Sequence, residues 1–329
     1  MSITRTLRFS LLSLVVLLSG CVFITGNLNP FSSTPEPLEE HVVSGEGSAK
    51  ILLIDISRTI TNQEEAGAFG VSRRESLTAR IDEELRRAAD DDKVRAVVLR
   101  INSPGGTVTA SDVIYHQLMA FKAARHLPVT AQFLDMGTSG AYYIALAADE
   151  IVASPTTVTG SVGVIMYGVN VSGLMDKLGV QNQTIKSGAR KDVGSPLRPM
   201  TPEDQAILQG VLDGMQQRFL GLVRERRSSL NAEGAQLISD GRILTADQAL
   251  QLGMVDRIGY LQDTLQTVSQ RVSAGGARVI MYRRPQEFAE NIYSAAPPLP
   301  SQLNLINLDL GAGAHASPQF LYMWQPPLE

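Results

Sequence analysis

The sequence predicts an α/β protein built on a parallel sheet with crossover helices, and three observations carry that prediction. Short apolar runs of buried-strand length recur at Lys50–Ile56, Val94–Ile101 and Pro128–Leu134. Between them, apolar residues return at helical spacing: Leu77, Ile81, Leu85 and Ala88, then Val113, Ile114, Leu118 and Phe121. The strands end in small or turn-forming residues, as in Asn102-Ser103-Pro104-Gly105-Gly106. Strand–helix–strand alternation of this kind is the mark of parallel pairing, because a parallel partner needs a long crossover. An apolar fraction of 44% and a charged fraction of 19% suit a globular chain, and 329 residues allow one large or two small domains.

The first element is a targeting segment. Arg5 and Arg8 precede an apolar run from Phe9 to Leu18, the basic-then-apolar form of a secretory signal. The run is shorter than the roughly 20 residues a membrane-spanning helix needs. It closes as Leu18-Ser19-Gly20-Cys21, which resembles the bacterial lipobox. Residues 1–20 are thus expected to be a lipoprotein-type signal peptide, with Cys21 as the lipidated first residue of the mature chain. Cys21 is the sole cysteine, so no intramolecular disulfide is possible. Residues 21–48 are rich in Pro, Ser, Gly and Glu and lack a hydrophobic period. They predict a flexible tether spanning about 25–30 Å, enough to hold a domain off a membrane surface.

Residues 49–274 predict one catalytic domain without internal repeats. After the strand at Pro128–Leu134 come a turn at Ser139, a short helix through Ala148 and a strand at Glu150–Ala153. Pro155–Met166 is β-branched and punctuated by glycine, Ser172–Leu178 reads as a short helix, and Gln181–Lys186 as a strand. Pro202 opens a long helix as its first-turn proline, with Leu208, Leu212, Met215, Phe219 and Leu222 as the expected buried face. Shorter helices are expected at Ala232–Ser239, Thr245–Leu252 and Tyr260–Arg271. Residues 275–329 predict a partly unstructured tail, with Phe320–Trp324 as an isolated strand or docking peptide.

Two residue types at strand exits carry the chemistry. Ser139 lies in Asp135-Met136-Gly137-Thr138-Ser139-Gly140-Ala141-Tyr142-Tyr143, where a sharp strand-to-helix turn would project its hydroxyl. Lys191 lies in Lys186-Ser187-Gly188-Ala189-Arg190-Lys191-Asp192, a glycine-containing loop. A hydroxyl needs a base to become a nucleophile, and a desolvated lysine can serve. Taken singly, Ser139 could be a helix N-cap, and Lys186, Arg190 and Lys191 solvated charges. A histidine base in an α/β-hydrolase order would have to follow the serine. Of His41, His116, His126 and His315 only the last does, in a Gly/Ala-rich stretch without a periodic pattern. Pro104-Gly105-Gly106 is either a plain turn or an oxyanion hole, with the Gly140 N–H as second donor. Ser161, in Thr159-Gly160-Ser161-Val162-Gly163, sits in a strand bend or orients the lysine. A net charge of −4 without a basic block excludes a nucleic-acid footprint. The sequence has no HExxH motif or Cys/His cluster, so no metal or organic cofactor is implied.

In series, Asn102–Gly106, Ser139–Tyr143, Thr159–Val164, Thr184–Asp192, Met200-Thr201-Pro202 and Asp240–Thr245 resemble the signal peptide peptidase A family. These are bacterial envelope Ser-Lys peptidases of the crotonase/Clp-protease fold, and the likeness covers roughly residues 50–272. It implies Ser139 as nucleophile, Lys191 rather than Lys186 as general base, Ser161 as the lysine-orienting hydroxyl, and Gly106 and Gly140 as oxyanion donors. With a single copy of the fold the chain resembles the short form of the family, which assembles as a ring. The implied function is a lipid-anchored endopeptidase of the bacterial cell envelope, with its catalytic domain outside the cytoplasm, that degrades cleaved signal peptides and other hydrophobic peptides. The alternatives are a crotonase-type acyl-thioester hydratase or isomerase and a catalytically inactive envelope scaffold.

Overall fold

The computed structural model describes residues 36–66, 73–285, 287, 290–294 and 320–324. The expected signal segment, Cys21 and His315 lie outside the described residues. The chain opens with β1 (Glu39–Ser44) and β2 (Ala49–Ile56), then a small hairpin of β3 (Glu65–Ala66) and β4 (Arg73–Arg74). Helix α1 (Leu77–Ala89) is capped by Ser76, whose hydroxyl accepts from Ala79 N. Next come β5 (Val94–Ser103), β6 (Gly105–Thr107), α2 (Val108–Arg125), β7 (Val129–Thr138), α3 (Gly140–Ala145), β8 (Glu150–Ala153), β9 (Val158–Gly160) and β10 (Ile165–Met166). They are followed by α4 (Ser172–Lys177), α5 (Pro202–Arg226), α6 (Ala232–Leu237), β11 (Ile243–Thr245), α7 (Ala246–Leu252), β12 (Arg257–Ile258), α8 (Leu261–Val272), β13 (Ala277–Arg283) and β14 (Phe320–Met323).

The main sheet has the order β1-β13-β2-β5-β7-β8-β12, with β9 beside the end of β7 and β11 beside β9. From β13 to β12 every neighbouring pair is parallel, and β1 closes one edge antiparallel to β13. Both faces of the central strands are covered, which is why their sequences are continuous apolar runs instead of alternating ones. Leu52 and Ile54 of β2 face the larger core with α1, α2 and α3, while Ile51 and Leu53 face the smaller core under α8. The predicted α/β class and its crossover helices are therefore present.

Four segments differ from the sequence reading. Gln181–Lys186 is not a strand: the Asn182 side chain accepts from Thr184 N (3.0 Å), a local turn that competes with extended pairing. Ile185 there is 98% exposed. Residues 277–283, expected in the tail, instead form β13, next to the edge of the sheet between β1 and β2. The tether expected to end at residue 48 already contains β1 at Glu39–Ser44. The long helix α5 buries only Asp204, Phe219 and Val223, while Leu208, Leu212, Met215 and Leu222 are half-buried. Its N-terminal half stands partly clear of the core. Among the described residues no helix is long and apolar enough to cross a membrane.

Candidate active site

Three parallel strands, β5, β7 and β9, deliver their C-terminal ends to one corner, the usual place for a site in a parallel sheet. Strand β7 ends at Ser139, whose backbone has φ 53° and ψ −115°. An L residue is strained in that region, so the surroundings must impose it. Ser139 N donates to Gly160 O (2.8 Å), and Tyr143 N donates to Ser139 O (2.9 Å). Every residue of α3 is buried. Its tyrosines anchor it through Tyr142 OH to Met254 O (2.8 Å) and Tyr143 OH to Asp112 Oδ1 (2.6 Å). Ser139 occupies the N-cap position of α3 yet makes no side-chain cap. Its Oγ is buried and has no hydrogen-bond partner among the described residues. The capping alternative therefore does not account for this serine.

The glycine turn lies against it. Gly105 has φ +102°, and a methyl built on it would stand 2.0 Å from the Tyr322 carbonyl oxygen and 2.8 Å from Gly140 N. One side of β6 is taken by Ile60, which donates to Gly105 O (2.9 Å) and accepts from Thr107 N (2.8 Å). A methyl on Gly106 would meet Ile60 O at 1.9 Å, so only glycine fits. Because its neighbours use the Ile60 side, Gly106 presents its own N–H to the opposite side, where it pairs with Tyr322 of β14. A methyl on Gly140 would stand 3.0 Å from the same Tyr322 oxygen and 3.2 Å from Gly106 N. The Gly106 N–H and the backbone of Gly140 thus lie close to the Tyr322 carbonyl.

Ser161 is the third part of this corner. It also has positive φ (52°), is 8% exposed, and donates its N–H to Arg242 O (2.7 Å). Its side chain lines a groove of about 540 Å³ together with Gln216, Asp240, Met323 and Trp324.

Lys191 is not hydrogen-bonded to Ser139. It lies on an exposed turn, with its N–H on Gly188 O (3.1 Å), and among the described residues no ion pair engages its ammonium. Lys186 is engaged, donating to Asp192 (2.7 Å) and Ala189 O (3.1 Å). Arg198 binds both Asp192 (2.9 Å) and Asp204 (2.5 Å) and so ties the loop to the start of α5. The Arg198 guanidinium, then the Lys186 ammonium, hold the Asp192 carboxyl well below the usual carboxylate range. Arg198 likewise brings Asp204 down to about 2.

An aromatic pocket beside the Ser139 turn is not foreseen by the sequence reading. The Tyr322 ring is fully buried, stacked on Tyr143 (5.3 Å) and against Phe219 (4.7 Å), and its hydroxyl donates to Met215 O (2.9 Å). Burial pushes the Tyr322 phenol up to about 12. The signals existed separately, as the Tyr142-Tyr143 pair, the buried Phe219 and the isolated apolar Phe320–Trp324. Nothing in the sequence joined them.

Comparison with known proteins adds the chemistry's lineage. The profile of peptidase family S49 matches residues 121–274, and that of Clp protease matches residues 57–157. A protein of Enterococcus faecium named as a signal peptide peptidase SppA is 33% identical over 260 residues, covering 79% of this chain and 74% of that protein. Protease 4 of Salmonella typhi is 36% identical over 182 residues, covering 55% of this chain and 29% of its own length. The chloroplastic serine protease SPPA of Arabidopsis thaliana is 29% identical over 198 residues, covering 60% and 29%.

Proposed function

The chain belongs to peptidase family S49 and is a serine peptidase of Clp-protease-like α/β fold, and on that premise we propose that Ser139 is its nucleophile and Lys191 its general base. The observation that carries this reading is the Ser139 hydroxyl. It is buried, unpartnered and uncapped on a strained turn, with the Gly140 backbone directly after it and the Gly106 backbone beside Gly140. In the proposed mechanism Ser139 Oγ attacks the substrate carbonyl, and the Gly106 and Gly140 N–H groups hold the developing oxyanion. One such donor is worth about 3–4 kcal/mol in the transition state. A neutral Lys191 takes the serine proton and passes it to the leaving amine, Ser161 aims the lysine, and water resolves the acyl-enzyme.

The substrates are extended hydrophobic peptides, including cleaved signal peptides. A peptide can add as a strand between β6 and β10, both of which β14 already pairs with antiparallel. Neighbouring subunits of a homo-oligomer complete each site, with the Lys191 loop reaching Ser139 of the next protomer. Supporting this, the arm that carries Lys191 exposes Leu174, Leu178, Val180 and Ile185, an apolar surface suited to a second copy. Cys21 anchors the enzyme by lipid in the bacterial envelope, and mass spectrometry of the mature N-terminus tests this: an unmodified Cys21 rejects it.

Hydrolysis of a hydrophobic reporter peptide tests the dyad. Ser139→Ala and Lys191→Ala each abolish it, whereas Lys186→Ala retains most of it, because Lys186 is already bound to Asp192. Mixed, reassembled Ser139→Ala and Lys191→Ala chains regain activity at a fraction of sites. The reverse pattern for the two lysines would make Lys186 the base.

A further inference from the structure

A second cavity, of about 60 Å³, lies at the carboxyl ends of β2 and β13 beside the first turn of α1, and it shares no lining residue with the groove at Ser161. Open α/β sheets take ligands at the carboxyl ends of their strands, and a helix start favours negative charge. Asp55, Glu75, Glu84 and Glu287 line the cavity together with Arg80 and Arg283. The four carboxylates are already engaged. Arg100 binds Asp55 (2.8 Å), and Arg80 binds Glu75 (2.9 Å), Glu84 (2.6 Å) and Glu287 (2.7 Å). Arg283 is the cation that these pairings leave over. It is 3% exposed, and its Nε is buried without a hydrogen-bond partner among the described residues. Its Nη2 donates to Ser294 O (3.2 Å) and Met281 Sδ (3.8 Å), neither of them charged. It approaches Asp55 at 3.8 Å, an acid that Arg100 holds more closely. A water would complete the Nε hydrogen bond but would not offset the buried charge, which is the costly part. Burial also pushes the Glu84 carboxyl up to about 7, which takes negative charge off the wall near neutrality.

We propose that this cavity is an effector site for one small tetrahedral oxyanion of the phosphate or sulfate class, held on the Arg283 guanidinium, and that its occupation steadies the strand that bears Gly106. Size selects the ligand. By the same measure roughly 10–15 Å³ suffices for one water, so the cavity has room for an ion of five heavy atoms. It has none for a nucleotide, or for a lipid headgroup with its glycerol. A guanidinium suits such an ion, because its planar fork matches two oxygens of a phosphate at once.

The link to the active site is a short stretch of backbone. Ser57 and Arg58 line the cavity, and the chain runs from them straight to Ile60. Arg58 O accepts from Ser103 Oγ (2.7 Å), just before the glycine turn. Ile60 N donates to Gly105 O (2.9 Å), and Ile60 O accepts from Thr107 N (2.8 Å). One segment is therefore a wall of the cavity at one end and the neighbour of β6 at the other. Fixing residues 57–58 fixes Ile60, and Ile60 sets where Gly106 presents its N–H. The effect on rate rests on the Ser-Lys reading above, whereas the binding of the ion does not.

The probe is inorganic phosphate, added to the full chain at an ionic strength held constant with sodium gluconate, an anion too large for the cavity. Phosphate is expected to raise Tm saturably, by about 5 °C at a hundredfold excess over Kd, and to raise kcat on the reporter peptide along the same curve. Phosphatidylglycerol vesicles are expected to leave Tm unchanged. Arg283→Met is expected to lose the phosphate response and, without phosphate, to melt above the wild type, because it removes the underpaired buried cation. A purely structural arginine would do the reverse on both counts. Glu84→Gln keeps Arg283 and gives a second measurement, with sulfate as probe because its charge is constant across the range. Glu84 faces Arg80 on its own helix, Asp55 of β2 and Arg283 of β13. At pH 8 the variant lacks a carboxylate charge that the wild type has, so it should bind sulfate roughly tenfold more tightly, and at pH 6, with Glu84 itself protonated, no more tightly. No phosphate shift beyond the gluconate control, a shift that survives in Arg283→Met, or equal sulfate affinities at pH 8 overturns the site. Vesicles that raise Tm where free phosphate does not make a lipid headgroup the occupant and overturn the free ion. Phosphate that binds without changing kcat overturns the coupling. A wild type that binds phosphate but never hydrolyses the reporter overturns the Ser-Lys reading and leaves the ion site standing.

Discussion

Replacing the proposed nucleophile, Ser139, should make the protein more stable, by an amount that its geometry sets. The buried Ser139 hydroxyl makes no hydrogen bond among the described residues, and a buried unsatisfied polar group costs about 1–3 kcal/mol. Ser139→Ala removes that cost and keeps the strained backbone, because alanine also has a Cβ. Ser139→Gly removes both. Relief of φ 53°, ψ −115° is worth a further ~1–3 kcal/mol, offset by ~0.5–1 kcal/mol for glycine's larger unfolded-state entropy. The expected order of stability is Gly, then Ala, then wild type, with Tm steps of about 2 °C per kcal/mol for a unit of this size. The measurement is urea unfolding in a Lys191→Ala background, so that no neighbouring amine satisfies the hydroxyl, with equal m-values required across the series. If alanine is no more stable than serine, the hydroxyl has a partner in solution and the reasoning fails. If glycine falls below alanine by more than ~1 kcal/mol, the backbone carries no strain.

Two other substitutions separate stability from catalysis and from loop anchoring. A Gly140→Ala methyl would stand 2.4 Å from Ser111 Oγ, which donates to Thr107 O (3.0 Å). The serine must swing away, so the fold loses about 1 kcal/mol; alanine keeps the N–H, but its methyl would stand 3.2 Å from Gly106 N and crowd the proposed oxyanion position, so reporter hydrolysis also falls. Adding Ser111→Ala restores the stability but not the rate; recovery of both would remove Gly140 from the oxyanion site. For the Lys191 loop, the carboxyls of Asp192 and Asp204 are depressed in the folded state. Their anchoring is therefore complete above about pH 4, the unfolded value, and is lost as pH falls through about 2. Pepsin susceptibility of residues 186–198 should rise only in that acid window. Arg198→Ala should bring fast amide exchange in the same segment to pH 7, and unchanged exchange would show that Arg198 does not hold the loop.

The parts of this protein that were legible in sequence are those encoded by local pattern. Lys50–Ile56 and Val94–Ile101 read as buried strands because both their faces are covered, and Pro202 marked the start of α5 because its missing N–H does no harm in a first turn. Strand β13 was hidden by its origin in pairing: Ala277–Arg283 follows two glycines and becomes a strand only between β1 and β2, far away in sequence. Gln181–Lys186 erred the other way: a mostly polar run whose one apolar residue is Ile185 finds no partner strand among the described residues and turns on Asn182. At the site, each functional segment was visible as a break at a strand end. What was not visible was the joining of residues 322 and 106, a contact across more than two hundred residues. The aromatic pocket depends on that contact.

The proposed dyad takes its base from a loop whose carboxylates are already engaged. A lysine acts as a base only when neutral, and desolvation away from carboxylates favours that form. Two carboxylates lie on or next to the loop, and both are occupied: Asp192 by Arg198 and Lys186, Asp204 by Arg198 and Arg190. Among the described residues, neither forms an ion pair with Lys191. What the protomer lacks is burial, because the turn is exposed and its arm carries apolar side chains into solvent. A second protomer would supply the missing burial and, in the same step, bring the amine to a serine whose hydroxyl has no other partner. Replacing Arg198 by alanine should therefore harm the reporter rate more than folding, since Asp192, left with Lys186 alone, becomes able to pair with Lys191 as well. The sign of that effect is checkable: the reporter rate of Arg198→Ala should recover in Arg198→Ala/Asp192→Asn, and a double variant as slow as the single one would show that the arginines act on loop position and not on the charge of the lysine.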